Sequence, residues 1–209
     1  MRRVRYEDWE PLYQEICDYF SFDPAEDDRA AHILADLTAQ DASWDLRRVI
    51  EGNTVTVCGN APTLHHELGG LSGVLIAADA ASMVLLRSGI IPQVIVTDLD
   101  GIDEEVLEHN RKGTILVVHA HGDNISRIKA LVPQMKGPLV LTTQNRPFDH
   151  VYNFGGFTDG DRAVFLAHAM HAKEVKLVGF NLDDPAVTPM KKGKLLWARR
   201  LLLLLGHES

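Results

Sequence analysis

Two carboxylates one residue apart, Asp98 and Asp100, follow the apolar run Pro92–Val96 in the segment Thr97-Asp98-Leu99-Asp100-Gly101. In an extended segment alternate residues share a face, so both acids are expected to project the same way. Like charges held that close repel unless a proton or a cation lies between them. Hard divalent cations take oxygen ligands, and Mg2+ commonly uses one or two carboxylates together with substrate phosphates. Asp103 is the better cap for the helix that follows, which leaves the earlier pair for a metal–phosphate site.

A second cluster, His119-Ala120-His121-Gly122-Asp123, follows another apolar run. Asp123 either joins Asp98 and Asp100 around a cation or caps a helix. Histidines and an aspartate at alternating positions also resemble the start of a dinuclear zinc hydrolase signature, since imidazole suits zinc. Asn124 stands where that signature has a further histidine. The densest motif is Asn153-Phe-Gly-Gly-Phe-Thr-Asp-Gly-Asp-Arg162. Gly155 and Gly156 permit close backbone approach to a ligand, and the helix start that follows attracts phosphate. Thr158 or Asp159 caps that helix, Asp161 lies in its first turn, and Arg162 presents a planar fork to phosphate oxygens. Gly59-Asn60-Ala61-Pro62 is a strand-to-helix turn with a single glycine. The chain has no G-x-G-x-x-G and no G-x-x-x-x-G-K-[ST], so dinucleotide and P-loop readings lose support. Lys191, Lys192 and Lys194 read as a charged helix start within reach of phosphate.

These residues need a scaffold, and the hydrophobic pattern supplies one. Tyr6 to Phe20 and Pro24 to Ala39 carry apolar residues at helical spacing, with Asp23 as cap and Pro24 in the first turn of the second helix. From Thr54 the pattern changes to short β-branched runs: Thr54–Cys58, Val74–Ala77, Val94–Val96, Thr114–Val118, Pro138–Thr142 and Val175–Val178. Helical stretches are expected between them at 62–70, 79–88, 103–112, 123–132 and 160–172, and a last helix from Pro189 capped by Thr188. Near-continuous apolar strands alternating with helices specify a parallel sheet covered on both faces. The expected fold is α/β: a doubly wound, Rossmann-like, mostly parallel sheet over residues 51–209, preceded by a helical segment over 1–50 and closed by a C-terminal helix. Small and polar residues follow strand after strand, as they do where an open sheet builds a ligand-binding rim.

Bulk properties narrow the field. The 209 residues are 45% hydrophobic and 24% charged, the composition of a globular protein with a sizeable core. A net charge of −8 argues against nucleic-acid binding, which needs a basic face. Two isolated cysteines, Cys17 and Cys58, form neither a disulfide framework nor a thiolate metal site, and fit a reducing cytoplasm. The opening Met-Arg-Arg-Val-Arg has no apolar core of a signal peptide. Leu201 to Leu205 is far short of a membrane span and reads as a buried final helix or a contact in a homo-oligomer.

Taken together, the segments at 59–64, 78–80, 96–101, 119–124, 142–144 and 153–163 resemble the archaeal MptE-type 6-hydroxymethyl-7,8-dihydropterin pyrophosphokinases. The resemblance covers roughly Thr54 to Asp183, and the chain departs from the pattern at Ala80, where the family has glycine. It implies Mg2+-dependent transfer of diphosphate from ATP to the hydroxymethyl group of a reduced pterin, with release of AMP, in folate or methanopterin synthesis. On that basis Asp98, Asp100 and Asp123 hold Mg2+. Gly59, Asn60, Asp79, Gly155, Gly156, Thr158, Asp159 and Asp161 bind nucleotide or phosphate. Thr97, Gln144 and Asn153 contact the pterin. His121 assists the attacking hydroxyl and Arg162 compensates phosphate charge. The wider group is related to thiamin pyrophosphokinase and includes proteins acting on nonulosonic sugars. A thiamin kinase, a sugar transferase and a non-catalytic nucleotide-binding module therefore stand as alternatives.

Overall fold

The computed structural model describes residues 5–207. Met1 to Val4, which belong to the opening stretch read for a signal, lie outside the described residues. Seven strands form one parallel sheet: β1 (Thr54–Cys58), β2 (Val74–Ala78), β3 (Val94–Thr97), β4 (Ile115–Ala120), β5 (Leu139–Thr143), β6 (Val151–Tyr152) and β7 (Glu174–Val178). Their order is β6-β5-β4-β3-β2-β1-β7, so the chain walks outward from β1 and then returns to place β7 on its other side. The register follows directly, with Val55 beside both Val74 and Val175.

Both faces of the sheet are buried, and the period-two pattern divides them. Val55, Val57, Val94, Val96, Ile115 and Val117 face one core. The helices α1 (Tyr6–Phe20), α3 (Ser43–Ile50), α8 (Asp159–Ala169) and α9 (Pro189–Leu204) cover that side. Ile95, Leu116, Val118, Leu139 and Leu141 face the other core. It is closed by α2 (Pro24–Leu37), the short α4 (Leu64–Glu67), α5 (Ala81–Arg87), α6 (Glu104–Arg111) and α7 (Ile125–Leu131). The helices after β1 to β4 lie on one face and α8 on the other. That arrangement lets the reversal of direction keep the right-handed crossover. β7 is an edge, and Glu174 and Lys176 point charge into solvent there, which discourages pairing with another chain.

The strands expected from sequence are present, and β6, only two residues long, is an addition. The helix expected over 62–70 shrinks to α4 and a 3-10 turn at Leu68–Gly70, because Gly69 and Gly70 end it. α3 is a third N-terminal helix, too short for its periodicity to stand out. The leucine run splits: Leu201, Leu202 and Leu205 are buried, while Leu203 and Leu204 are exposed. No helix among the described residues is long and apolar enough to cross a membrane. Cys17 and Cys58 are buried free thiols, and burial pushes the Cys58 thiol up to about 12.

The N-terminal helices are part of both cores and are locked to the strand tips by one buried acid. The Asp27 carboxylate on α2 accepts from the Tyr13 hydroxyl (2.7 Å), the Gln144 amide (2.7 Å) and the Gly122 backbone (2.9 Å). Burial, and after it the hydrogen bond to Asp27, raises the Tyr13 phenol far above its usual range, so it remains the donor. Trp9 adds a bond from its indole N–H to the Gln144 carbonyl at 2.8 Å. Replacing Tyr13 by Phe deletes one charge-assisted bond inside this network. The substitution is expected to lower unfolding stability by about 1.5–3 kcal/mol in a urea titration, with the slope of the transition unchanged.

Candidate active site

The carboxyl ends of the strands meet along one rim, and the first acid there comes from the β2 tip. Asp79 has φ +46°, an uncommon conformation for a side-chain-bearing residue. Its carboxylate is secured by the Thr97 hydroxyl at 2.6 Å and the Gly101 amide at 3.1 Å. A Cβ at Gly101 would lie 2.0 Å from the Asp79 carboxylate, so only glycine permits this approach. Ala80 has φ −59°, which any residue adopts, and the departure from glycine at that position costs nothing locally.

Leu99 has φ +76°, so the segment 97–101 is a turn and not the extended strand its apolar prefix suggests. The Leu99 amide donates to the Thr97 hydroxyl and the Asp100 amide to the Asp98 carboxylate. Asp98 stays at the rim. Asp100 pairs instead with Arg127 on α7 at 3.2 Å.

The third acid comes from across the sheet. Asp159 opens α8, and ligand oxygens of Asp79, Asp98 and Asp159 lie within 4.8 Å of one another. This is the one group of three or more such ligands among the described residues, and it differs from the expected set of Asp98, Asp100 and Asp123. The period-two argument fails at Leu99. Asp123 is exposed on the 3-10 turn Gly122–Asn124, where its amide donates to His121 Nδ1.

Electrostatics at the triad are tense. Burial, followed by the neighbouring Asp98 and Asp79 charges, pushes Asp159 up to about 8, against the pull of Arg162. Burial also raises Asp79, with Asp98 adding to it against the Thr97 bond. Burial would raise Asp98 too. The nearby His121 ring, the Asp100 amide and the Arg162 charge overcome it and bring Asp98 down to about 2. A site built only of oxygen donors, short of positive charge, suits a hard divalent cation.

His121 and Arg162 are already engaged. His121 Nδ1 accepts the Asp123 amide, which puts the proton on Nε2, 3.6 Å from Asp98. With one nitrogen on the Asp123 amide and the other beside Asp98, the ring is engaged on both sides and positions Asp98. Arg162 is 7% exposed and divides its fork between Asp159 (2.9 Å) and the Phe157 carbonyl (2.7 Å).

Other expected ligands turn out to build the loop. A Cβ at Gly155 would meet the Phe165 ring at 2.5 Å, and one at Gly156 would meet Arg162 Cα at 2.4 Å. Both glycines have positive φ and serve the packing of this loop on α8. Asp161 is fully buried, accepting from the Phe157 amide (2.5 Å), the Thr158 amide (2.9 Å) and the Thr158 hydroxyl. Asn153 spends its amide on Asn145 and Gly155. Thr97 is buried and commits its hydroxyl to Asp79 and Leu99. His119 is also buried: Thr142 donates to Val118, so His119 Nδ1 donates to Thr142 and bare Nε2 has no protein partner. Burial holds its pKa well below the usual value, so it stays neutral.

Two clefts meet at the triad. The first, about 450 Å3, lies between α2, the tips of β3 to β5 and the start of α8, and includes Asp98, Asp159 and Gln144. The second, about 390 Å3, lies over the tips of β1 and β7, where the connections diverge to helices on opposite faces of the sheet, and includes Gly59, Asn60, Asp79 and Asp159. Such a divergence is where open α/β sheets accept ligands. A Cβ at Gly59 would stand 2.6 Å from the Gly179 carbonyl, so the two turns touch through backbone. Thr158, Asp159 and Lys191 line both clefts. Of the three lysines read as a charged helix start within reach of phosphate, Lys191, near the start of α9, is the one on the wall of both clefts, while Lys194 lines the first alone.

A family model described as 6-hydroxymethylpterin diphosphokinase MptE-like matches residues 30–186. Three archaeal relatives bear the name 6-hydroxymethyl-7,8-dihydropterin pyrophosphokinase. That of Pyrococcus furiosus is 41% identical, over 99% of this chain and 96% of its own. That of Methanocaldococcus jannaschii is 39% identical over 83% and 78% of the two chains. That of Methanothermobacter thermautotrophicus is 34% identical over 93% and 92%. Among solved structures, the Maf glycosyltransferase of Magnetospirillum magneticum AMB-1 aligns with 77% of this chain and 29% of its own, at a TM-score of 0.44 and 15% identity. The chain belongs to the MptE-like 6-hydroxymethylpterin diphosphokinase family.

Proposed function

We propose that this protein transfers diphosphate from ATP to the hydroxymethyl group of 6-hydroxymethyl-7,8-dihydropterin, releasing AMP, and that it requires Mg2+. The reading is carried by the carboxylate triad of Asp79, Asp98 and Asp159 at the seam of two clefts. Two substrates approaching from opposite sides would meet there. The names of the three relatives give the acceptor its identity.

In this reaction the acceptor oxygen bonds to the β-phosphorus as the bond from that phosphorus to the oxygen shared with the α-phosphorus breaks. AMP departs, and the acceptor's hydroxyl proton passes to solvent. Catalysis of this kind is chiefly positioning and charge compensation. Asp79, Asp98 and Asp159 would hold the Mg2+, which when bound offsets the charge of the phosphate oxygens. Thr97 and Gly101 keep Asp79 in place, and His121 does the same for Asp98. Arg162 balances Asp159 from within the protein. Lys191, exposed on the wall of both clefts, is a cation suited to the phosphate of the departing AMP. The product fits folate or methanopterin synthesis in the cytoplasm.

Two measurements test this. Asp98→Asn is expected to lower AMP formation from ATP, Mg2+ and the pterin by about two orders of magnitude or more. Thermal unfolding should fall no more than slightly, because Asn keeps an oxygen for the Asp100 amide while the favourable surroundings that hold the Asp98 carboxylate ionised are lost. Retained turnover would remove Asp98 from the reaction. Independently, millimolar Mg2+ without nucleotide should raise the melting temperature of the wild-type protein over an EDTA control, and Asp98→Asn should abolish that rise.

A further inference from the structure

The two clefts differ in chemistry. The first carries six carboxylates against three cationic side chains, together with the rings of Phe22 and Phe157. The second cleft is acidic as well, with Asp79, Asp159 and Asp184 against Lys191, so charge alone does not separate them; the two rings of the first cleft favour a flat ring rich in N–H groups. Gln144 forms part of this wall and is only 6% exposed. Its Nε2 must face the Asp27 carboxylate, because a carboxylate can only accept. Its Oε1 is then fixed as a buried acceptor with no protein partner. A buried acceptor of that kind costs free energy unless a ligand donor reaches it. The second cleft has aliphatic walls at Leu182, Val187 and Leu195, and two backbone turns in contact at Gly59 and Gly179. It presents an apolar slot above the buried, hydrogen-bonded backbone of those turns, suited to a nucleoside.

We infer that the clefts divide the substrates: the first takes the 2-amino-4-oxopteridine ring, with Gln144 Oε1 accepting one of its N–H groups, and the second takes the adenosine of the nucleotide. The assignment rests on the pyrophosphokinase reading above and deepens it. A 2-amino-4-oxopteridine displays an amino group and a ring N–H on one edge, the donor pattern that an orphaned amide oxygen in an acid-lined cleft selects. Asp27 acts as a positioning residue: it holds Gln144 by one oxygen and the Gly122 amide by the other. The reacting groups then meet at Asp98 and Asp159, which line the first cleft, while Asp79 faces from the second.

The test is a steady-state split on the full chain, varying each substrate with the other saturating. Gln144→Met keeps length and loses the acceptor, together with the donor to Asp27, whose carboxylate keeps its bonds from Tyr13 and Gly122. It is expected to raise KM for the pterin about tenfold, and to leave KM for ATP within twofold. Val187→Trp, which fills the second cleft, should do the reverse. Phe22→Leu serves as a second variant of the first cleft and should raise KM for the pterin alone, whether or not Gln144→Met folds. Binding of the pterin without ATP, followed by its own fluorescence, should weaken in the first-cleft variants and not in Val187→Trp. Gln144→Met or Phe22→Leu raising KM for ATP, raising both values equally, or changing neither, would overturn the assignment. Wild-type protein that turns over no pterin at all would overturn the pyrophosphokinase reading itself, a result visible before any variant is made.

Discussion

Three carboxylates held within 4.8 Å dictate much of what surrounds them. Each is held by different means, which is how the fold tolerates the repulsion. Asp79 is secured by donors from the β3 tip and depends on glycine at position 101. Asp98 receives the amide of its own turn and faces the Nε2–H of His121. Asp159 is answered by Arg162, three residues along α8. The acids arrive from β2, β3 and the far side of the sheet. Only the return of the chain over β1 to β3 brings the third to the other two.

That return explains why a loop that looks like a ligand cradle is scaffolding. Gly155 and Gly156 have positive φ, and a side chain at either would also strike Phe165 or Arg162, so the loop needs glycine twice over. Asp161 ties down the last turn of the loop, and Arg162 reaches back to its carbonyl at Phe157. These contacts fix the start of α8, and with it Asp159. A loop dense in Gly, Asp and Arg is thus spent on aiming one carboxylate. The cation on the wall of both clefts is Lys191 instead, a residue that nothing but its position distinguishes from its neighbours.

The architecture was legible because its signals are local and repeated. Six apolar runs, each closed by polar residues, require a parallel sheet with its chemistry at one rim, and β1 to β5 and β7 lie close to those runs. What sequence could not supply was the turn at Leu99. Alternation puts Asp98 and Asp100 together only if the chain stays extended, and a positive φ one residue past Asp98 sends Asp100 to Arg127. The spacing of Asp159 from Asp98, sixty-one positions apart in the chain, carries no local signal either. Asp79 and Asp159 were visible as polar residues at strand ends and helix starts, but their shared role depends on tertiary distance. Likewise, β6 and α3 are too short for periodicity to register and exist through their packing on β5 and on the N-terminal helices.

The N-terminal helices set this chain apart from a bare α/β sheet. The family match begins at residue 30, within α2, after Tyr13, Phe22 and Asp27 have already passed. Those residues wall or brace the first cleft, whereas both acids on the strand tips and the Gly59 turn lie inside the matched core. Phosphate chemistry needs only the core: carboxylates at strand tips and a helix start held against the sheet. An open sheet edge bounds a cleft on one side only, and the first cleft has a second wall. The α1–α2 hairpin supplies that wall, and Asp27 joins it to the ends of β4 and β5 through two hydrogen bonds, one half-buried to Gly122 and one buried to Gln144, while a third to Tyr13 ties the two helices together. Any movement of that hairpin must break bonds to a carboxylate shielded from water, where each is worth more than at the surface. The wall is therefore fixed before substrate arrives, and the shape of the first cleft belongs to the folded chain.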